Sequence, residues 1–213
     1  MKSRQFSRRD FFYLCLGGGL LAAGYPLARV ISQSRGAGAK GAAALKPTPG
    51  NTLGPYYKSG APKRERLIEQ AAAGAVPLLV AGRVVNTDGR PLPNARVEVF
   101  HADQAGEYDL EGFRYRGEIP VGPYGEYRFE SVMPGHYGGR ARHVHSVITA
   151  PGHSQLVTQL YFENDPYFRG NPDANYTRDS LVRYRELIRP VSAAEKSGVN
   201  YSSVVFDICM EKA

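Results

Sequence analysis

The run Ala95–His101, ARVEVFH, alternates with a period of two, and no feature constrains the fold of this chain more. Only a strand sends successive side chains to opposite faces, so Val97, Val99 and His101 share one face and Arg96, Glu98 and Phe100 the other. Runs of the same kind recur: PLLVAGRVV over 77–85, Tyr127–Val132, HVHSVITA from His143, LVTQLYF over 156–162 and SVVFDICM over 203–210. They are β-branched and short, and turn sequences such as Asn86-Thr-Asp-Gly89 and Pro134-Gly135 separate them. The pattern predicts an all-β protein, an antiparallel β-sandwich with long loops and little helix. The one helix expected is short, KRERLIEQAAA over 63–73, ended by Gly74. A polar loop over 102–126 and a polar excursion after Phe162 are the longest interruptions.

The net charge of +7 invites a nucleic-acid reading, but its distribution removes it. Residues 1–50 carry eight basic side chains against the single acid Asp10, and beyond them nineteen basic groups face nineteen acidic ones. The basicity therefore belongs to the leader and no nucleic-acid partner is expected. Within it, Ser7-Arg8-Arg9-Asp10-Phe11-Phe12 precedes the mild apolar run YLCLGGGLLAAGYPLA. Paired arginines, a following aromatic and a glycine-rich apolar stretch resemble a twin-arginine export signal. The stretch is broken by glycines and Pro26, short of the roughly 20 apolar residues a firm spanning helix needs. The expected division is a leader over 1–31, a linker over 32–50 and a domain over 51–213. The expected location is periplasmic, with membrane contact only through an uncleaved leader. Cys15 and Cys209 are the only cysteines, so a chain without its leader holds one thiol and no internal disulfide.

The candidate chemistry centres on Pro134–His145, PGHYGGRARHVH. On a strand, His143 and His145 point from the same face, and two converging imidazoles suit a transition metal. A packed or surface histidine pair gives the same spacing, so the company the pair keeps decides. Tyr137 stands close by, tyrosine is abundant at 14 residues, and no zinc-type cysteine pair, phosphate-binding glycine loop or serine-nucleophile elbow occurs.

Taken in order, these segments resemble the intradiol ring-cleavage dioxygenases, the catechol and protocatechuate dioxygenase group. The likeness runs through GPYY (54–57), GRVVNTDGRPLPNA (82–95), VEVFHADQAGEY (97–108), YRFESVMPGHY (127–137), RARHVH (140–145) and LVTQLYF (156–162). It implies a non-haem Fe(3+) held by Tyr108, Tyr137, His143 and His145. It further implies Arg140 as the arginine that stabilises anionic substrate, with Arg142 its rival, and Gln159 as a supporting glutamine. The implied partners are a small aromatic diol and O2. The implied reaction cleaves the ring between the two hydroxylated carbons and ends in a muconate-type diacid. The donor set is chemically apt: ferric iron is a hard trication, and phenolate is a hard anionic donor that a free tyrosine reaches only near pH ~10 unless a metal ionises it. By the same resemblance, Tyr137 is the ligand that leaves when substrate chelates and Tyr108 the one that stays.

Three departures bear on substrate identity more than on ligation. Phe100 stands where larger members often carry tryptophan, the GGRAR link from Tyr137 to His143 is short, and no sizeable N-terminal helical dimerisation domain is seen. Tyr56, Tyr57 and Tyr124 are candidates for a pocket wall, while His101, His136 and His153 have no place in the motif. Two other readings compete. One is a non-catalytic, transthyretin-like binding module, where G-x-V-x-x-x-x-G-x-P-L-x-x-A is also common. The other is a family member that keeps iron without turnover. The four metal-ligand candidates separate the first; the second leaves no mark in a sequence.

Overall fold

The computed structural model describes residues 44–68, 74–196 and 199–213, leaving aside the side chains of 194–200; the leader and most of the linker lie outside the described residues. Among the described residues ten strands make up the architecture. They are β1 (Pro77–Asn86), β2 (Arg96–Phe100), β3 (Arg116–Ile119), β4 (Glu126–Val132), β5 (His143–Thr149), β6 (Leu156–Phe162), β7 (Ile188–Arg189), β8 (Ser192–Lys196), β9 (Val199–Val205) and β10 (Ile208–Met210). One sheet runs β3-β2-β5-β6-β7; in the other β1 is flanked by β4 on one side and by β9 and β10 on the other, with β8 beyond β9. A single apolar core draws on both, with Val80, Val84 and Phe129 from one sheet and Val97, Val99, Val144, Ile148 and Leu160 from the other. This is the expected sandwich, mostly antiparallel, with parallel pairing of β1 to β9 and β10 and of β6 to β7. Among the described residues no helix is long and apolar enough to cross a membrane.

The helix expected over 63–73 is not formed in its described part. Residues 63–68 form isolated bridges, Lys63 to Glu118 and Arg66 to Glu130, about a bend, and 69–73 lie outside the described residues. The physical reason is that neighbouring strands claim the backbone groups a helix would use. Arg64 N donates to Glu118 O on β3, Leu67 N to Glu130 O on β4, and Tyr115 N to Leu67 O. Leu67, wholly buried, fixes this segment against the core. The last predicted strand, 203–210, is one line of pairing to β1 interrupted at Phe206-Asp207, where Asp207 Oδ1 accepts from Arg83 N at 2.9 Å. Gly82 allows this, because a Cβ there would collide with the Phe206 carbonyl. β3, β7 and β8 are too short or too polar for periodicity to reveal.

Alternation along β5 decides where the chemistry goes. Val144 and Ile148 face the core, so His143 and His145 project from the outer face of their sheet. Cross-strand register supplies their neighbours: Phe100 and Gln159 flank His145, and Tyr161 stands beside His143. Three loops, over 51–58, 103–115 and 134–142, and the excursion after β6 cover this face.

Candidate metal centre

The Tyr108 hydroxyl sits between the two imidazoles, 3.4 Å from His143 Nε2 and 3.2 Å from His145 Nε2. The Tyr137 ring meets that of Tyr108 edge-on with centroids 5.5 Å apart. The loops bearing these tyrosines press backbone to backbone: Gly135 N donates to Asp103 O at 2.7 Å, and a Cβ at Gly106 or Gly135 would collide with the facing loop. Tyr56 completes the aromatic cluster. It stacks on Tyr108 at 4.3 Å, and its hydroxyl hydrogen-bonds that of Tyr137.

Each imidazole has its Nε2 turned toward the tyrosine. His143 Nδ1 lies 2.7 Å from the Ala141 carbonyl, which can only accept, so Nδ1 carries the proton and Nε2 keeps its lone pair. The Thr52 carbonyl lies against the His145 ring and favours its protonated form, an effect smaller than that of burial. The ring is stacked face to face on Phe100 at 4.3 Å, and Gln159 Nε2, which donates to Thr52 O, lies 3.2 Å from His145 Nδ1.

Burial sets the protonation states. It pushes His143 down to about 4, and it holds His145 well below its ordinary value, with the His143 and Arg140 charges adding to the effect. Both rings are therefore neutral near pH 7, the state that binds metal. Burial also pushes the Tyr108 phenol well above its ordinary value, against the opposing charges of Arg140 and Arg116. A phenol so placed ionises when a cation is bound beside it. Among the described residues no group of three or more His, Cys, Asp or Glu side chains could hold a metal. Two imidazoles and phenol oxygen form the donor set here, and that mixture fits a hard trivalent iron better than a soft ion.

Arg140 bonds side chains that flank this centre. Its NH2 group donates to Gln159 Oε1 at 3.1 Å and to Tyr161 Oη at 2.8 Å, while Nε meets Asp179 at 2.9 Å. Arg142 instead uses its backbone N–H, donating to Asp165 at 2.7 Å. Of the other candidates, Tyr57 turns away to donate to Glu98 at 3.1 Å, and Tyr124 is 68% exposed in a turn. His101 is buried on the core side, bonded to Ser131 Oγ at 2.7 Å; His136 pairs with Asp165; His153 bonds the Pro151 carbonyl. The residues that sequence reasoning missed are Thr52, Asp165 and Asp179, all acting through loop-to-loop contacts. Only Asp165 had a local signal: followed by Pro166, it has the form of a helix N-cap, and it does accept from Tyr167 N.

Fold and centre together define a class, a β-sandwich with phenol and imidazole donors gathered on the outer face of one sheet. The dioxygenase family model matches residues 52–212, and the chain belongs to that family, the intradiol ring-cleavage dioxygenases. It is 35% identical over 161 residues to a catechol 1,2-dioxygenase of Acinetobacter lwoffii, covering 63% of this chain and 58% of the relative. With a hydroxyquinol 1,2-dioxygenase of Nocardioides simplex it shares 33% identity over 195 residues, covering 78% and 65%. The chain thus spans less than two thirds of the length of these curated relatives. Among solved structures, the dioxygenase domain of a dioxygenase–carbohydrate-binding protein fusion from Streptomyces sp. SirexAA-E matches with TM-score 0.66 and 32% identity, over 79% of this chain and all of that one. Catechol 1,2-dioxygenase from Acinetobacter sp. ADP1 matches with TM-score 0.68 and 26% identity, over 78% and 63%.

Proposed function

We propose that this chain cleaves a catechol-type aromatic diol between its two hydroxylated carbons with O2, placing both oxygen atoms in a muconate-type diacid. The observation that carries the reading is the Tyr108 hydroxyl held 3.2–3.4 Å from two neutral imidazole nitrogens, with Tyr137 at its edge. Tyr108, Tyr137, His143 and His145 are the residues that would hold ferric iron, which supplies the Lewis acidity to ionise the diol and activate its ring toward O2. The catechol 1,2-dioxygenase and hydroxyquinol 1,2-dioxygenase relatives support a small aromatic diol as substrate.

The chain's own residues then have distinct tasks. Tyr137, as phenolate, accepts a proton from the diol, and the Tyr56 hydroxyl already bonded to it steadies the product phenol. Arg140 offsets negative charge growing on the ring, from a position fixed by Gln159, Tyr161 and Asp179. Gln159 keeps the Thr52 carbonyl, and through it the His145 ring, in place. Phe100 stacked on His145 and Tyr56 stacked on Tyr108 shield these groups from water.

The domain organisation belongs to the same reading: a twin-arginine leader over 1–31, a linker over 32–50 and the dioxygenase domain over 51–213. Such a leader carries the protein to the periplasm already folded, consistent with loading its metal before it leaves the cytoplasm. The test of function is oxygen uptake by the purified, iron-loaded protein. Consumption strictly dependent on catechol, with a visible band from phenolate-to-iron charge transfer, is the expected result; tightly held zinc with neither property overturns the reading.

A further inference from the structure

The polar excursion after β6 carries no metal-ligand candidate, yet two of its carboxylates are among the few buried ones. The Asp165 side chain is 0% exposed and that of Asp179 4%. A carboxylate taken out of water must be repaid with hydrogen bonds, and the donors that satisfy these two all but encircle one loop. Asp165 Oδ1 accepts from His136 Nε2 at 2.7 Å and Oδ2 from Arg142 N at 2.7 Å, so one carboxylate grips the residue before Tyr137 and the residue before His143. Asp179 grips the middle, accepting from Arg140 Nε at 2.9 Å and from Ala141 N at 3.1 Å. Between the grips the loop closes on itself. Arg140 N donates to Tyr137 O at 2.8 Å, and the central glycines have φ of 54° and 74°, the sign pattern of a type I′ turn. The glycine pair therefore serves a defined turn.

We infer that Asp165 and Asp179 are positioning residues that hold the 136–142 loop rigid, so that only the Tyr137 side chain moves while Arg140 stays aimed at the substrate. Asp165 follows β6 by three residues and so ties the loop to the sheet that bears Gln159 and the imidazoles. The Tyr137 ring, by contrast, is restrained by one phenol hydrogen bond and by edge contacts with Tyr56 and Tyr108. The inference rests on the proposed function for its kinetic consequence, though not for the clamp itself.

The clean perturbation is Asp179→Asn, and Asp165→Asn beside it. In each aspartate both oxygens accept N–H groups, so an amide must turn its NH2 onto a donor whichever way it sits. In the full, iron-loaded chain with catechol as the probe, each variant is expected to keep the parent iron content. Its kcat/KM should fall about 100-fold, the order of loss that a misplacement of about 1 Å produces. Anaerobic titration of the visible spectrum should show weaker catechol binding as well. Asp173→Asn, an exposed carboxylate of the same excursion that pairs with Arg185, should retain parent values. Parent kcat/KM and catechol affinity in both buried-aspartate variants would overturn the inference, and a lowered Tm alone would mark a merely structural role. Should the variants not fold, amide exchange on the parent decides. Ala141 and Arg142 N–H exchanging as slowly as the β5 ladder supports the clamp, and exchange as fast as Gly138 refutes it. Because exchange needs neither iron nor turnover, it reads the clamp even in a protein that proves inactive toward catechol.

Discussion

At the scale of single residues, the two tyrosines are chemically alike but differently placed, and the placement assigns them unequal tasks. Tyr108 lies in hydrogen-bond reach of both imidazoles, whereas among the described residues the Tyr137 hydroxyl answers only to Tyr56. Tyr137→Phe is therefore expected to retain iron yet bind catechol slowly and turn over poorly. Tyr108→Phe should alter the colour of the substrate-bound complex more strongly, and stopped-flow spectra distinguish the two. A second prediction concerns His101, fully buried and pushed by that burial down to about 4 from an ordinary value of 6.5. Between those values the unfolded chain binds a proton that the folded one refuses. Its contribution is therefore complete above about 6.5 and is lost as pH falls toward about 4. Urea denaturation of metal-free protein should show stability rising with pH across this window. His101→Gln should flatten the slope by up to about 1.4 kcal/mol per pH unit, the value for one proton. Much at this scale was legible in the sequence. Strand alternation put His143 and His145 on one face, and put His101 opposite Phe100. The tyrosines were legible only through the resemblance, since nothing in local spacing says that residues 108 and 137 meet. The hold that Asp165 and Asp179 take on the 136–142 loop was illegible even with the helix-cap form of Asp165, because the loop groups they bind lie 23 to 39 residues away.

Elements explain why the site has its shape. β5 delivers both imidazoles outward, β2 and β6 set Phe100, Gln159 and Tyr161 beside them, and loops bring the phenols in from above. That last step depends on glycine: Gly106, at φ 91°, and Gly135 let the two tyrosine-bearing loops touch main chain to main chain. Gly135→Ala places its Cβ within 2.5 Å of the Gln104 carbonyl oxygen and the Gly106 nitrogen. The loops must then part, and the expected cost is about 1–3 kcal/mol, typical of overpacking. Iron content should fall with it, measured by metal analysis beside thermal unfolding; a variant with parent stability and parent iron would show that the loops close by other means. Strands with clean alternation, β2 and β6 above all, were readable to within a residue. Residues 63–68 were misread because helix propensity in KRER was outweighed by tertiary demand: β3 and β4 needed hydrogen-bond partners, and Leu67 a place in the core.

The whole molecule divides by charge, a basic stretch over 1–50 before a formally neutral remainder, and this division was plain in the sequence. Replacing Arg8 and Arg9 with lysine should leave a folded protein held in the cytoplasm; unchanged arrival outside the inner membrane would sink the twin-arginine assignment. Where the sandwich takes up the chain was less plain. Gly, Ala and Ser composition groups residues up to 50 with the linker, but Leu45–Asn51 are stitched to the sandwich. Leu45 N donates to Thr87 O at 2.8 Å, and Thr48 exchanges two bonds with Cys209 on β10, at 2.9 Å and 2.8 Å. The Thr158 hydroxyl on β6, fully buried, donates to Pro49 O at 2.8 Å. Asn51 N donates to Val157 O at 2.7 Å, and its side chain reaches Leu181 O at 2.9 Å. Removing this segment strips those bonds and leaves the Thr158 hydroxyl buried without its acceptor. Each intact bond contributes about 1 kcal/mol, and an orphaned buried group costs about 1–3 kcal/mol. A chain starting at Ala44 keeps every one of these bonds. One starting at Thr52 should be less stable than it by several kcal/mol, at about 1 kcal/mol for each lost bond. The loss should extend to the metal centre, because the next carbonyl, that of Thr52, anchors Gln159 and the His145 ring. Denaturant midpoints and iron content of the two shortened chains test this together. Equal midpoints and equal iron would mean that Leu45–Asn51 lie on the sandwich without supporting it.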